Sequence, residues 1–360
     1  MLELYSYRLP FKKPFQTGSA NFTHRVGVLI YFSDGSSEII SEAAPLPGFS
    51  TESLLDVIEL LKELKSKLKE FFVSEFTVTE LNNFIKKDIP YPSVAFAISY
   101  MGLHLISKRK QISIGEIFES DIQKEVIAND VIAIGSTEDS VSQFKRSFKK
   151  GFRTFKIKAD QNPRKSIELL EVITDQFDRK FTIRIDANRS WTEHSFLQFA
   201  EQLSSFPIEY IEEPFSTSGK SSSKKIIQTS SVPIAFDESI EGPDDLARKL
   251  GRFKNEYFVI KPMRIGCLSD LFETIRSHRT HFNRVVVTTM LESAIGRAMT
   301  LTVASLIGDP SLAHGLNTGS HLMHDLYVNK DEKPALKVPD SGFIEFTFSE
   351  INNEFLQQID

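Results

Sequence analysis

The chain has 360 residues, 41% of them hydrophobic and 25% charged, a balance that suits a globular protein and a length that fits a barrel of roughly 250 residues plus a smaller domain. A formal net charge of −5 with no basic tract argues against nucleic acid or an anionic membrane as partner. The single cysteine, Cys267, excludes an internal disulfide, and no apolar run reaches the ~18–20 residues that span a bilayer. Met1 to Ser6 lack the basic and apolar regions of a secretion signal, so a cytoplasmic protein is expected.

In chain order, Val26 to Phe32 reads as an apolar strand, Ser33-Asp34-Gly35-Ser36 as a turn, and Glu38 to Glu42 as a second strand. Pro45-Leu46-Pro47-Gly48-Phe49 is a stiff loop, after which Ser50 or Thr51 is expected to cap a helix running to about Lys69. A further helix should begin with Pro92 in its first turn and carry Val94, Ala97, Ile98 and Met101 on one face. From about Ile127 strands and helices alternate. Val131 to Gly135 is the first barrel strand, Thr137-Glu138-Asp139 opens its helix, and Gly151 stands where a left-handed residue ends it. Asn162-Pro163 and Thr192 or Ser190 cap the next two helices. Arg284 to Thr288 and a short run at Leu312 to Gly315 complete eight strands, and Gly342 to Phe348 is expected to pair back with the amino-terminal region.

Charged residues end consecutive strands at intervals of 24 to 28 residues: Lys158, Asp186, Glu212, Asp237 and Lys261. One βα unit takes roughly that length, so side chains at these positions converge on the carboxyl-terminal mouth of a parallel barrel. Asp186, Glu212 and Asp237 offer hard oxygen ligands, which favours Mg²⁺ or Mn²⁺ over zinc. Glu213 and Glu238 each follow a ligand by one residue. The two-residue strand period turns them elsewhere and places them behind the ligands, together with Asn188. Lys156 and Lys158 are two apart and share a face. If they point inward, each positive charge disfavours the other, so at least one should have a lowered pKa and serve as a base. If they point outward, they are an ordinary surface pair. Lys261 ends a buried strand before Pro262, which leaves both a Schiff-base nucleophile and a proton-transfer residue open. Gly219-Lys220-Ser221 lacks the earlier glycine of a phosphate loop and reads as a solvated loop. His321-x-x-His324 lacks the glutamate and spacing of a zinc helix. Nothing in the pattern specifies an oligomeric state.

The ladder, together with Ala44-Pro45-Leu46-Pro47-Gly48-Phe49-Ser50, Pro92-Ser93-Val94-Ala95-Phe96, Arg184 to Trp191, Ile211-Glu212-Glu213-Pro214, Phe236-Asp237-Glu238-Ser239 and Val259-Ile260-Lys261-Pro262, resembles the enolase superfamily. Within it, the Pro-Leu-Pro-Gly-Phe-Ser loop and Ile-Lys-Pro resemble the o-succinylbenzoate synthase family. The resemblance implies an α/β fold: a modified TIM barrel, (β/α)₇β, over residues 111–341, with an α+β capping domain from residues 1–110 to which 342–360 return. It implies Mg²⁺, or Mn²⁺, on Asp186, Glu212 and Asp237, with Lys158 as acid and base and Lys261 stabilising an enolate. Lys156 would stand beside the carboxylate of a small-molecule substrate, and Thr288, Gly315 and Leu316 near its succinyl arm. The implied reaction is a dehydration in menaquinone biosynthesis. Thr288 to Ser293 departs from the family's serine-rich form. Dipeptide epimerases and N-acylamino acid racemases of the same superfamily are the alternatives. His314 to Gly319 lacks the Asp-x-Asp common in the epimerases. A non-catalytic binding barrel is disfavoured because every rung is present.

Overall fold

The computed structural model describes residues 1–16, 21–133, 135–178, 180–216, 221–253, 255–278, 284–327 and 333–360. Three long strands open the chain: β1 (Leu2–Gln16), β2 (Asn21–Ser33) and β3 (Glu38–Ala43). Asp34 makes the β2–β3 turn, accepting the Ser36 and Ser37 backbone N–H groups at 3.0 and 2.8 Å. β1 had no counterpart among the expected elements. The helix after the stiff loop spans Leu54–Val73, capped by Ser53 with Asp56 reciprocating, rather than by Ser50 or Thr51. Ser50 is engaged instead inside the loop, where its Oγ accepts from Leu46 N. A helix at Val78–Asp88, also unanticipated, precedes Pro92–Lys110. That last helix does not have a single buried face. Every residue from Ser93 to Ser107 is buried, because it is wedged among the cap sheet, the helices before it and the barrel.

After a short β4 (Glu125–Ile127), seven parallel strands follow: β5 (Asp130–Ile132), β6 (Thr154–Lys158), β7 (Thr182–Asp186), β8 (Ile208–Glu212), β9 (Ile234–Phe236), β10 (Tyr257–Ile260) and β11 (Val285–Val287). They lie side by side in sequence order. The expected first strand to Gly135 stops at Ile132, and Ile134 lies outside the described residues. Its helix runs Thr137–Lys149 and ends at Gly151 with φ +99°, as the glycine suggested. Asn162 and Thr192 cap their helices. The eighth strand is reduced to His314 and Gly315. Parallel bridges Ala128–His314 and Thr288–Gly315 close the ring through them. Gly219 and Lys220 lie outside the described residues; Ser221 begins a helix to Thr229.

β12 (Ala335–Lys337) pairs with β4, and β13 (Leu356–Ile359) pairs antiparallel with β1. The segment 342–348 makes no strand. Its apolar residues pack instead, with Phe343 stacked on His104 at 4.5 Å. The hydrophobic interior is divided. Most of it fills the cap and the layer between strands and helices, whereas Tyr210, Ala235, Val259, Val286 and Leu312 form a separate plug. Tyr210, Ala235, Val259 and Val286 each lie two residues before Glu212, Asp237, Lys261 or Thr288, so the plug is the barrel interior and the ladder sits directly above it. No helix among the described residues is long and apolar enough to cross a membrane.

Candidate active site

Strand register sets the site. Lys158 stands level with Asp186 and Asp186 with Glu212, while Lys156, Arg184 and Tyr210 form the layer beneath. Backbone bonds beyond the strands preserve this alignment: Ala159 N donates to Asp186 O at 2.8 Å, Ala187 N to Glu212 O at 3.1 Å and Glu213 N to Ala235 O at 3.0 Å. Asn188, Arg189, Glu213 and Leu291, all at the same mouth, have positive φ (43°, 59°, 40° and 64°). Strain of this kind collects where backbone must be aimed at a ligand.

Asp186, Glu212 and Asp237 are 2%, 0% and 3% exposed, so their charges need partners. Lys156 Nζ lies 3.0 Å from Asp186 Oδ2 and 2.8 Å from Glu212 Oε1. Lys158 Nζ lies 2.8 Å from the same Asp186 oxygen and donates to Asn188 Oδ1 at 2.7 Å. Lys261 Nζ lies 2.5 Å from Asp237 Oδ2, with the Phe49 ring centroid 4.8 Å away. Phe49 comes from the cap, so the 45–50 loop reaches the barrel mouth. Both Lys156 and Lys158 therefore point inward.

The expected depression of a lysine pKa is not found at Lys156. Burial pulls it down, but the charges of Asp186, Glu212 and Asp237 outweigh that and hold it well above the ordinary value. Like-charge repulsion between the lysines loses to three acids on neighbouring strands. Burial raises Asp186 too, yet Lys156 and Lys158 bring it below the usual carboxylate range, and Lys261 does the same for Asp237. Glu212 moves the other way, pushed well up by burial and by the charge of Asp186.

Glu213 braces the rungs from outside: its Oε1 accepts Asp237 N at 3.0 Å and Ser239 N at 2.9 Å, and its Oε2 lies 3.3 Å from Arg189 Nε. The two-residue period does not extend to Glu238, because β9 ends at Phe236. Glu238 accepts from Asn188 Nδ2 at 2.7 Å, and burial with the charges of Asp237 and Asp186 raises its pKa, so it shares their chamber. Thr288 Oγ1 donates to Gly315 O at 3.1 Å. A Cβ on Gly315 would lie 2.1 Å from that hydroxyl, so any other residue there forces Thr288 to shift. Leu316 lines a cavity of about 940 Å³ beside the helix Ala294–Ile307, with Arg297, Met323 and Asp325, and none of the ladder residues borders it. Arg25, which ties down the 45–50 loop, carried no signal in the sequence, and Phe49 carried one only as part of the Pro45-to-Ser50 motif.

The fit of a divalent cation rests on the oxygens. Among the described residues no three His, Cys, Asp or Glu groups stand gathered so as to hold a metal ion, and lysine ammonium groups lie on Asp186 Oδ2 and Asp237 Oδ2. Yet Glu212 Oε2, Asp237 Oδ1 and Glu238 Oε2 are buried and receive no N–H or hydroxyl donor, with Glu212 and Asp237 close enough to share a proton. Three acid oxygens with no N–H or hydroxyl donor in one buried chamber suit a hard cation.

Residues 139–341 match the family model Enolase C-terminal domain-like, and residues 1–105 match MenC, N-terminal domain. An o-succinylbenzoate synthase from Thermosynechococcus vestitus is 25% identical over 81% of this chain and 84% of its own. An L-Ala-D/L-Glu epimerase from Francisella tularensis subsp. novicida is 24% identical over 67% of this chain and 68% of its own. The muconate lactonizing enzyme of Pseudomonas fluorescens, solved with muconolactone, superposes with a TM-score of 0.82 at 19% identity, over 99% of this chain and 98% of that one. With the barrel model alone matching more than half of its length, this chain belongs to the enolase superfamily of enzymes.

Proposed function

We propose that the chain is an o-succinylbenzoate synthase, a cytoplasmic Mg²⁺-dependent lyase of menaquinone biosynthesis that dehydrates 2-succinyl-6-hydroxy-2,4-cyclohexadiene-1-carboxylate to 2-succinylbenzoate. The carrying observation is that Lys158 and Lys261 enter one chamber from β6 and β10, with the acids of β7, β8 and the β9 end between them. The Pro45-to-Ser50 loop over Lys261, the MenC-type amino-terminal match and the synthase relatives support this member of the superfamily.

Asp186, Glu212 and Asp237 would hold Mg²⁺ or Mn²⁺, and a cation there supplies electrophilic stabilisation of a carboxylate whose α-proton is being removed. Lys158 is the proton carrier. Its side chain is the most open of the three lysines, 38% exposed against 18% for Lys156 and 12% for Lys261. As free amine it takes the α-proton, and as ammonium it returns a proton to the departing hydroxyl on the same face. Lys261, sheltered under Phe49, keeps a positive charge opposite the developing enediolate. Lys156, in the layer beneath, compensates Asp186 and Glu212 and directs its charge at the substrate carboxylate. Thr288 and Gly315 border the succinyl arm. Aromatisation drives the second half of the reaction.

Epimerisation is the second reading, favoured by the L-Ala-D/L-Glu epimerase relatives and by a lysine on each side of the chamber. The test is turnover with Mg²⁺, and with chelator, of the cyclohexadiene substrate beside N-succinyl amino acids and L-Ala-L-Glu. Metal-dependent dehydration supports the synthase; turnover of the dipeptide alone replaces it with the epimerase.

A further inference from the structure

The loop that carries Phe49 is built as a rigid unit. Phe49 N and Ser50 N both donate to Leu46 O at 3.0 and 2.8 Å, Leu46 N donates to Ser50 Oγ at 3.0 Å, and Gly48 takes φ +83° to close the turn. Such a unit moves as one piece, so its tip is placed by whatever holds its base. Its far end is fixed by Glu52, 4% exposed, whose Oε1 accepts Ser93 N at 2.9 Å at the start of the helix Pro92–Lys110. That helix start also packs on the turn following Lys261, where a Cβ at Gly266 would sit 3.5 Å from Pro92 Cα. Upstream of the loop, Glu42 crosses to the barrel. It accepts Tyr7 Oη at 2.6 Å, Ser293 N at 3.1 Å and Gly296 N at 2.9 Å, at the amino-terminal end of the helix Ala294–Ile307.

Between these anchors, the base of the loop hangs on one side chain. Arg25 of β2 is 1% exposed and spends its guanidinium on carbonyls: Nη1 donates to Val26 O and Pro45 O, each at 2.7 Å, and Nη2 to Ala44 O at 2.5 Å. Burying a guanidinium to hold three carbonyls is costly unless their placement matters. We propose that Arg25 is a positioning residue for the reaction, acting through the Ala44 and Pro45 carbonyls to seat the 45–50 loop so that Phe49 covers Lys261. The proposal rests on the functional reading only in taking Lys261 as a working residue of the site.

The test is a double-mutant cycle on Arg25→Lys and Phe49→Ala. Lysine keeps the buried positive charge that acts on Glu292 but cannot bridge both loop carbonyls. Each single variant should lower kcat/KM by about 10–100-fold, the scale of small misplacements in a site. The Arg25 variant should raise KM as well as reduce kcat, because an unseated loop covers neither substrate nor Lys261. The double variant should fall within about twofold of the worse single, since Arg25 acts through Phe49. Multiplying effects, or a lowered melting temperature with unchanged kcat/KM, would overturn the proposal. Hydrogen exchange on the wild-type protein tests it without any substrate. The Leu46, Phe49 and Ser50 amides should be protected like those of β2 and β3, and exchange at open-loop rates would refute the bracing. Rates are taken on whichever superfamily substrate the wild type turns over. A failed dehydration assay therefore counts against the functional reading, while the exchange result still decides the role of Arg25.

Discussion

Glu292→Gln should stabilise the protein in a pH-dependent way. Glu292 is 1% exposed, its Oε2 accepts Met290 N at 2.6 Å, and its Oε1 has no partner. Burial raises its pKa from 4.5 to about 7, against the pull of Arg25 and with a further push from Glu42. The folded protein thus binds this proton more tightly than the unfolded chain does. The stabilisation is complete below pH 4.5 and is lost as pH rises through 7. A shift of that size corresponds to about 3 kcal/mol as an order of magnitude. Glutamine keeps an oxygen acceptor for Met290 N and cannot ionise. Any packing penalty it brings is independent of pH, so the diagnostic quantity is the change in the variant-minus-parent difference. Between about pH 4.5 and pH 8 that difference should move in favour of glutamine by about 3 kcal/mol, on the order of 5 °C in Tm. Denaturant unfolding of both proteins across this range measures it. A flat difference, or one moving toward the parent at high pH, would refute the assignment of a buried, neutral-prone carboxyl at this junction of cap and barrel.

Two further outcomes follow from the site. Asp237→Asn should weaken Mg²⁺ binding in titration calorimetry and cut turnover while the circular dichroism spectrum stays the same, because it removes one of the three acids; unchanged affinity would remove Asp237 from the ligand set. Gly315→Ala should cost about 1–3 kcal/mol by overpacking against Thr288, with part of the loss recovered in the Gly315→Ala, Thr288→Ala double variant, since the nearer clash is with Thr288 Oγ1.

The ladder was legible because a charge at the end of an otherwise apolar strand is costly to desolvate unless it is used there, and five such charges recur at one βα interval. Lys158, Asp186 and Glu212 do stand level. Other features depended on contacts between distant parts of the chain. Ser50 and Thr51 have the composition of caps, but Ser53 caps the helix while Ser50 Oγ accepts from Leu46 N. β1 was hidden because Pro10 and the Lys12-Lys13-Pro14 run interrupt its alternation, at the place where its pairing with β2 shifts register. The direction of the Lys156 pKa needed the sum of acids on β7, β8 and the β9 end, a sum that Lys-x-Lys alone does not contain. The pairing of Phe49 with Lys261 and of Arg25 with Pro45 joins segments with no local pattern in common.

The most direct measurement is made on Lys158→Ala, following both dehydration of the cyclohexadiene substrate and exchange of its α-proton with D₂O. A sole proton carrier on β6 predicts that the two fall together, by about 10²–10⁴-fold or more, with the fold and Mg²⁺ affinity retained. Dehydration at the parent rate, or α-proton exchange that persists through Lys261, would contradict the assignment of the base.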